Sequence, residues 1–133
     1  MTLADEEKKS LIIYRLRQAD EAADSAELLL ANYKTAAAIN RIYYAVFYCV
    51  MALALKSGFN TSKHLQLIGW FNKTYIRTGL IDQEFGRILK DCYEYRKKAD
   101  YDSFVEFERI DVNLLLNEMK KFLSNIKNYI EIT

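Results

Sequence analysis

From about Leu3 to Ala31, the apolar residues Leu11, Tyr14, Ala22, Ala26, Leu29 and Leu30 recur at three- and four-residue steps, with Glu, Lys and Arg between them. That period lines one face of an amphipathic helix. Asn32 and Tyr33 interrupt it. A second pattern, from about Thr35 to Ser57, carries Ala38, Tyr43, Phe47, Val50, Met51, Ala54 and Leu55. Apolar nearly all the way round, it predicts the central helix of a bundle. Gly58 supplies a stop, and Asn60, Thr61 and Ser62 are N-cap candidates for a third helix, about Lys63 to Arg77, which Gly79 closes. Asp82 can cap a fourth helix reaching about Ala99, with Phe85, Ile88, Leu89, Cys92 and either Tyr93 or Tyr95 facing inward. The period is lost around Tyr101 to Val105. A last helix, about Glu108 to Ile130, shows Val112, Leu115, Leu116, Met119, Phe122, Leu123, Ile126 and Ile130 in a regular stripe. Five helices with short connections predict an all-α fold, an up-and-down antiparallel bundle.

Composition supports this reading. With no proline and only 4 glycines, the 133 residues lack the turns that a many-stranded sandwich needs. The length suits one domain, spanning residues 1–133, that buries roughly two-thirds of its unfolded surface. Nineteen basic residues against 18 acidic leave a net charge of +1, so any polyanion site must be a local patch. Cys49 and Cys92 both fall within apolar helical pattern, as free core thiols do. The charged start MTLADEEKKS lacks the apolar core of a signal peptide, and the most apolar stretch, Ile39 to Leu55, contains Asn40 and Arg41. The expectation is a soluble, cytoplasmic protein without a membrane span.

Most enzyme signatures are missing: there is no glycine-rich phosphate loop, no Cys-x-x-Cys and no His-Glu-x-x-His. One histidine cannot build a multi-histidine metal site, so neither a metal nor a cofactor is expected. Three groups remain. Asn40-Arg41-Ile42-Tyr43-Tyr44 puts polar and aromatic residues in the most apolar helix. There Arg41 and Tyr44 either pack within the core or bind a carboxylate, a phosphate or a partner. Arg96, Lys97 and Lys98, followed by Asp100, fit a helix C-terminus with an Arg96–Asp100 pair; they equally suit an RNA backbone. His64 opens a helix and is either structural or a general acid or base.

The residues Asn40-Arg41-x-Tyr43-Tyr44-Ala45-x-Phe47, Ser62-Lys63-His64, Thr78-Gly79 and Arg96-x-x-Ala99-Asp100-Tyr101, in that order, resemble the HEPN domain. More narrowly they resemble small prokaryotic single-domain members encoded beside a minimal nucleotidyltransferase. The resemblance implies a dimerising helical bundle. In many relatives it also implies a metal-independent endoribonuclease toxin, with the nucleotidyltransferase as antitoxin. The family signature is an arginine followed, after four to six residues, by a histidine. Arg96 matches the arginine, but the histidine window holds Tyr101, Asp102 and Ser103. A tyrosine with a pKa of about 10 is a poor base at neutral pH.

Two functions follow as expectations. One is a module with weak or no catalysis that pairs with a minimal nucleotidyltransferase and binds RNA or a nucleotide at a homodimer groove. Arg96, Tyr101 and Asp100 would be its centre, and Lys97, Lys98, Arg41, Tyr44 and His64 its binding residues. The other is an active ribonuclease toxin in which Asp100, Asp102 or His64 substitutes for the histidine. The missing histidine favours the first. Convergence of Arg96 with Tyr101 requires the fourth helix to end near Asp100, because five residues of helix is a turn of about 140° past the arginine.

Overall fold

The computed structural model describes residues 3–102 and 104–132. Among them are five α-helices: α1 (Leu3–Ala31), α2 (Thr35–Lys56), α3 (His64–Phe71), α4 (Gln83–Tyr101) and α5 (Arg109–Ile132). A single π-helical turn, Asn72–Ile76, extends α3. The chain is the all-α bundle that the periodicity predicts.

Helix α2 is its centre, in contact with each of the other four. Ala38, Ile39, Ile42, Tyr43, Ala45, Val46, Cys49, Val50, Ala52 and Leu53 are all at most 1% exposed, so apolar atoms meet it over most of its circumference, while Arg41, Tyr44 and Tyr48 on the remaining side are half-buried. By length and composition it is the one helix among the described residues able to cross a membrane, yet most of it is buried against its neighbours. Both thiols are free and buried, and burial pushes the Cys49 thiol up to about 12. Such groups act as packing atoms.

The stripe of α1 differs from expectation. Ala19, Ala22, Ala26 and Leu30 are buried, with Ile12 and Leu16 packed against them, whereas Leu11 and Tyr14 are exposed. Leu11 is one residue, or about 100° of helix, away from the inward Ile12. The inward alanines have little side chain to hold α2 away. Helix α5 buries every residue of its expected stripe, and Phe122 reaches the rings of Phe71 and Phe85 at 5.8 and 6.0 Å, joining α3, α4 and α5.

The turns explain where the helices stop. Gly58 and Gly79 adopt φ of +85° and +78°, the left-handed region that a side chain disfavours. Asp82 caps α4, accepting the Glu84 N–H at 2.9 Å. The cap expected from Asn60, Thr61 or Ser62 does not form: Lys63 holds the N-cap position of α3, and Thr61 Oγ1 accepts the Lys63 N–H instead. The third helix changes to π geometry at Asn72, which the three-four period does not reveal. There Tyr75 turns into the core, its hydroxyl bonded to that of Ser57. Gly86 of α4 lies so close that an added Cβ would come within 3.2 Å of Ile76.

Phe122→Ala should therefore destabilise the chain by about 3–5 kcal/mol, while Tyr14→Ala on the outer face changes stability by about 0.5 kcal/mol or less. Urea unfolding monitored by circular dichroism measures both.

Candidate functional site

Helical spacing brings four groups of α2 to one face: Asn40, Tyr43, Tyr44 and Phe47. On α4 the same spacing aligns Tyr93, Arg96, Lys97 and Asp100. The two faces meet, and the first residue of α3, His64, closes the cluster. Arg96 Cζ lies 5.2 Å from the centre of the Tyr43 ring and 5.5 Å from that of Tyr44. Arg41 Cζ lies 5.1 Å from the same Tyr44 ring, and the Nε and Nη2 of Arg41 donate to Asn40 Oδ1. Two guanidinium groups thus share one phenol ring, whose face attracts cations.

The His64 ring stacks on Phe47, with centroids 4.1 Å apart and planes at 9°. Its Nδ1 is 2.6 Å from the hydroxyl of Tyr43, a residue that is 0% exposed. Burial pushes the Tyr43 phenol well above its ordinary value, against the pull of the Arg96 charge, so the hydroxyl keeps its proton. His64 is held below the ordinary 6.5, first by burial and then by Arg96. Both shifts give a neutral pair at pH 7. The buried hydroxyl makes this one hydrogen bond among the described residues and is satisfied as its donor. The imidazole proton then resides on Nε2.

Arg96 is incompletely satisfied. Its Nε lies 2.9 Å from Asp100 Oδ2, the i, i+4 pair expected from the sequence. The N–H does not point at that oxygen, and the buried Nε has no hydrogen-bond acceptor. An arginine carries five N–H donors, and this one makes no hydrogen bond among the described residues.

Of the residues expected to form the site, Arg41, Tyr44, His64, Arg96 and Asp100 come together. Lys97 is exposed and lies over the ring of Tyr93, beside them, and Lys98 is exposed at the same helix end. Tyr101 does not converge with Arg96. Helix α4 continues through Tyr101 before Asp102 leaves it, so the two side chains diverge and Tyr101 is 79% exposed. Asp102 is taken up by a turn, its carboxylate accepting the Phe104 N–H at 3.1 Å. Ser103, the last position of the histidine window, lies outside the described residues. The residue missing from the expected set is Tyr43. Adjacency to Tyr44 and spacing from Phe47 signal that it is inward, but nothing local pairs it with His64, 21 residues away. Among the described residues no three His, Cys, Asp or Glu side chains group as metal ligands.

A family model described as the HEPN domain matches residues 13–129. A UPF0332 protein of Thermotoga maritima is 41% identical over 125 residues, covering 94% of this chain and 95% of that protein. A protein named "Putative toxin" from Methanocaldococcus jannaschii is 33% identical over 115 residues, covering 86% of this chain and 78% of its own length. A second protein so named, from the same organism, is 32% identical over 109 residues, covering 82% and 81%.

Because folding lowers the His64 pKa, the unfolded chain binds more protons than the folded one between the two values. Stability from this residue is complete above the ordinary 6.5 and is lost as pH falls through the folded value. The melting temperature should drop as pH falls below the ordinary 6.5, and His64→Gln should flatten that slope, as calorimetry across the acid range would record.

Proposed function

Since the chain belongs to the HEPN domain family, we propose that it is a toxin-type module that binds single-stranded RNA through a backbone phosphate at Arg96. The observation carrying this reading is the state of that guanidinium: beside one carboxylate, against two tyrosine rings, with donors left over. A phosphate oxygen suits such donors, and Arg41, Lys97 and Lys98 add positive charge at the same end of the bundle. Tyr44 and Tyr93 offer faces on which an unstacked base can lie. The two relatives named as toxins support the toxin part.

A homodimer and a minimal nucleotidyltransferase partner belong to the same proposal. The partner follows from the family resemblance. The dimer is supported by apolar side chains left in solvent from the end of α4 to the start of α5: Tyr101, Phe104, Ile110 and Leu114 are between 58% and 96% exposed. The cytoplasm is the proposed place of action. A second reading, a metal-independent endoribonuclease toxin, is favoured by one observation, the placement of His64 and Arg96 against the same two tyrosine rings.

Arg96→Ala should weaken binding of a mixed single-stranded RNA pool by about 1.5–3 kcal/mol without loss of helix content. Tyr101→Phe should leave binding nearly unchanged. Fluorescence anisotropy at fixed salt measures both, and equal affinity for wild type and Arg96→Ala would remove the site. Light scattering at micromolar concentration tests the dimer, and co-purification from cells that express both proteins tests the partner.

A further inference from the structure

The bond between Tyr43 and His64 determines what the imidazole can offer a ligand. Tyr43 is out of solvent, and its hydroxyl keeps its proton and donates to Nδ1. Nδ1 is thereby used. Phe47 covers one face of the ring, so the orientation is fixed by a stack as well as by the bond. The group left over is Nε2–H, a donor that makes no hydrogen bond among the described residues. Nearby stands the guanidinium of Arg96, which also has donors to spare. Both residues lie against the same two rings: His64 is 5.6 and 5.8 Å from the centres of Tyr43 and Tyr44, and Arg96 Cζ is 5.2 and 5.5 Å from them.

We infer that His64 and Arg96 form one phosphate clamp, in which the imidazole, held through Nδ1 by Tyr43, offers its Nε2–H to the same RNA phosphate that the guanidinium binds. The inference rests on the reading that Arg96 takes an RNA phosphate, and it goes further by assigning His64 the work of a donor. With its proton on Nε2 the ring has no lone pair to remove a proton from a ribose hydroxyl. The clamp therefore holds RNA and supplies no base, which departs from the arginine and histidine arrangement of the family. Tyr43 is a positioning residue, since it acts only through His64.

An anion at Nε2 favours the imidazolium, so binding draws a proton onto Nδ1, the Tyr43 hydroxyl turning from donor to acceptor of the new N–H, and tightens as pH falls. The titratable and charged groups that bear on the ring are Tyr43 and Tyr44 of α2 and Arg96 of α4. Burial and then the Arg96 charge hold the imidazole down in the free chain. The incoming phosphate offsets the Arg96 charge.

The test is calorimetric titration of the full chain with a single-stranded RNA oligonucleotide, in two buffers of different ionisation enthalpy, together with a cleavage assay in chelator. Wild type should take up a proton on binding near pH 6. His64→Ala should bind about tenfold more weakly with no uptake. His64→Gln, which keeps an N–H donor, should regain part of the affinity but none of the uptake. Tyr43→Phe should move the pH at which uptake is half complete, which loss of packing alone would not do. Circular dichroism checks that each variant folds, and the uptake by wild type stands independently of them. Unchanged affinity in both His64 variants, no proton uptake by wild type, or chelator-resistant cleavage that His64→Ala abolishes would each overturn the clamp. If Arg96→Ala weakens binding while the His64 variants do not, only the clamp falls. If Arg96→Ala also has no effect, the RNA-binding reading falls with it.

Discussion

Helix α2 is stable only where apolar atoms cover most of its circumference, and the rest of the molecule is arranged to cover it. The inward alanines of α1 let that helix approach closely, and α3, α4 and α5 also pack on α2. This envelope also encloses the hydroxyl of Tyr43, a residue that is 0% exposed. A buried hydroxyl without a hydrogen-bond partner costs about 1–3 kcal/mol, so something must reach it. The first residue of α3 does so. Core packing and the candidate site therefore meet at a single bond, 2.6 Å long, from Tyr43 to His64.

That bond organises the charges around it. His64 is fixed as a neutral donor, and Arg96 remains the cation of the pair. Asp100 pairs with the Arg96 charge at 2.9 Å but leaves its Nε–H unsatisfied, because the short contact lacks a well-directed hydrogen bond. Arg41 and Arg96 share the Tyr44 ring, so the positive charge is gathered on aromatic faces. The chain as a whole carries a net charge of only +1, so in the proposed reading the attraction for a phosphate backbone arises from this local arrangement.

The sequence was informative wherever the cause was local. The stripe of α5 and the Asp82 cap depend on residues within a turn or two, and both form as expected. So do the stops at Gly58 and Gly79. The stripe of α1 was misread by one residue at its start, since Leu11 and Ile12 are equally apolar and only packing chooses between them. The π turn at Asn72–Ile76 arises from tertiary fit, and no period announces it. At the site, Arg96, Asp100, Arg41 and Tyr44 could be named from residue type and position. The Tyr43–His64 pairing could not, because it joins residues that only the bundle brings together. Tyr101 was misplaced because one or two further residues of helix, within the ordinary uncertainty of a helix end, decide which way the side chain faces.

His64 is the single histidine of the chain, so its imidazole resonances are unambiguous. A nitrogen-detected magnetic-resonance titration of that ring, with and without single-stranded RNA, tests the account most directly. The account predicts a proton on Nε2, a midpoint below 6.5 in the free chain, and a rise of that midpoint when RNA is added. A proton on Nδ1 with a midpoint at or above 6.5 that RNA leaves unmoved would contradict it.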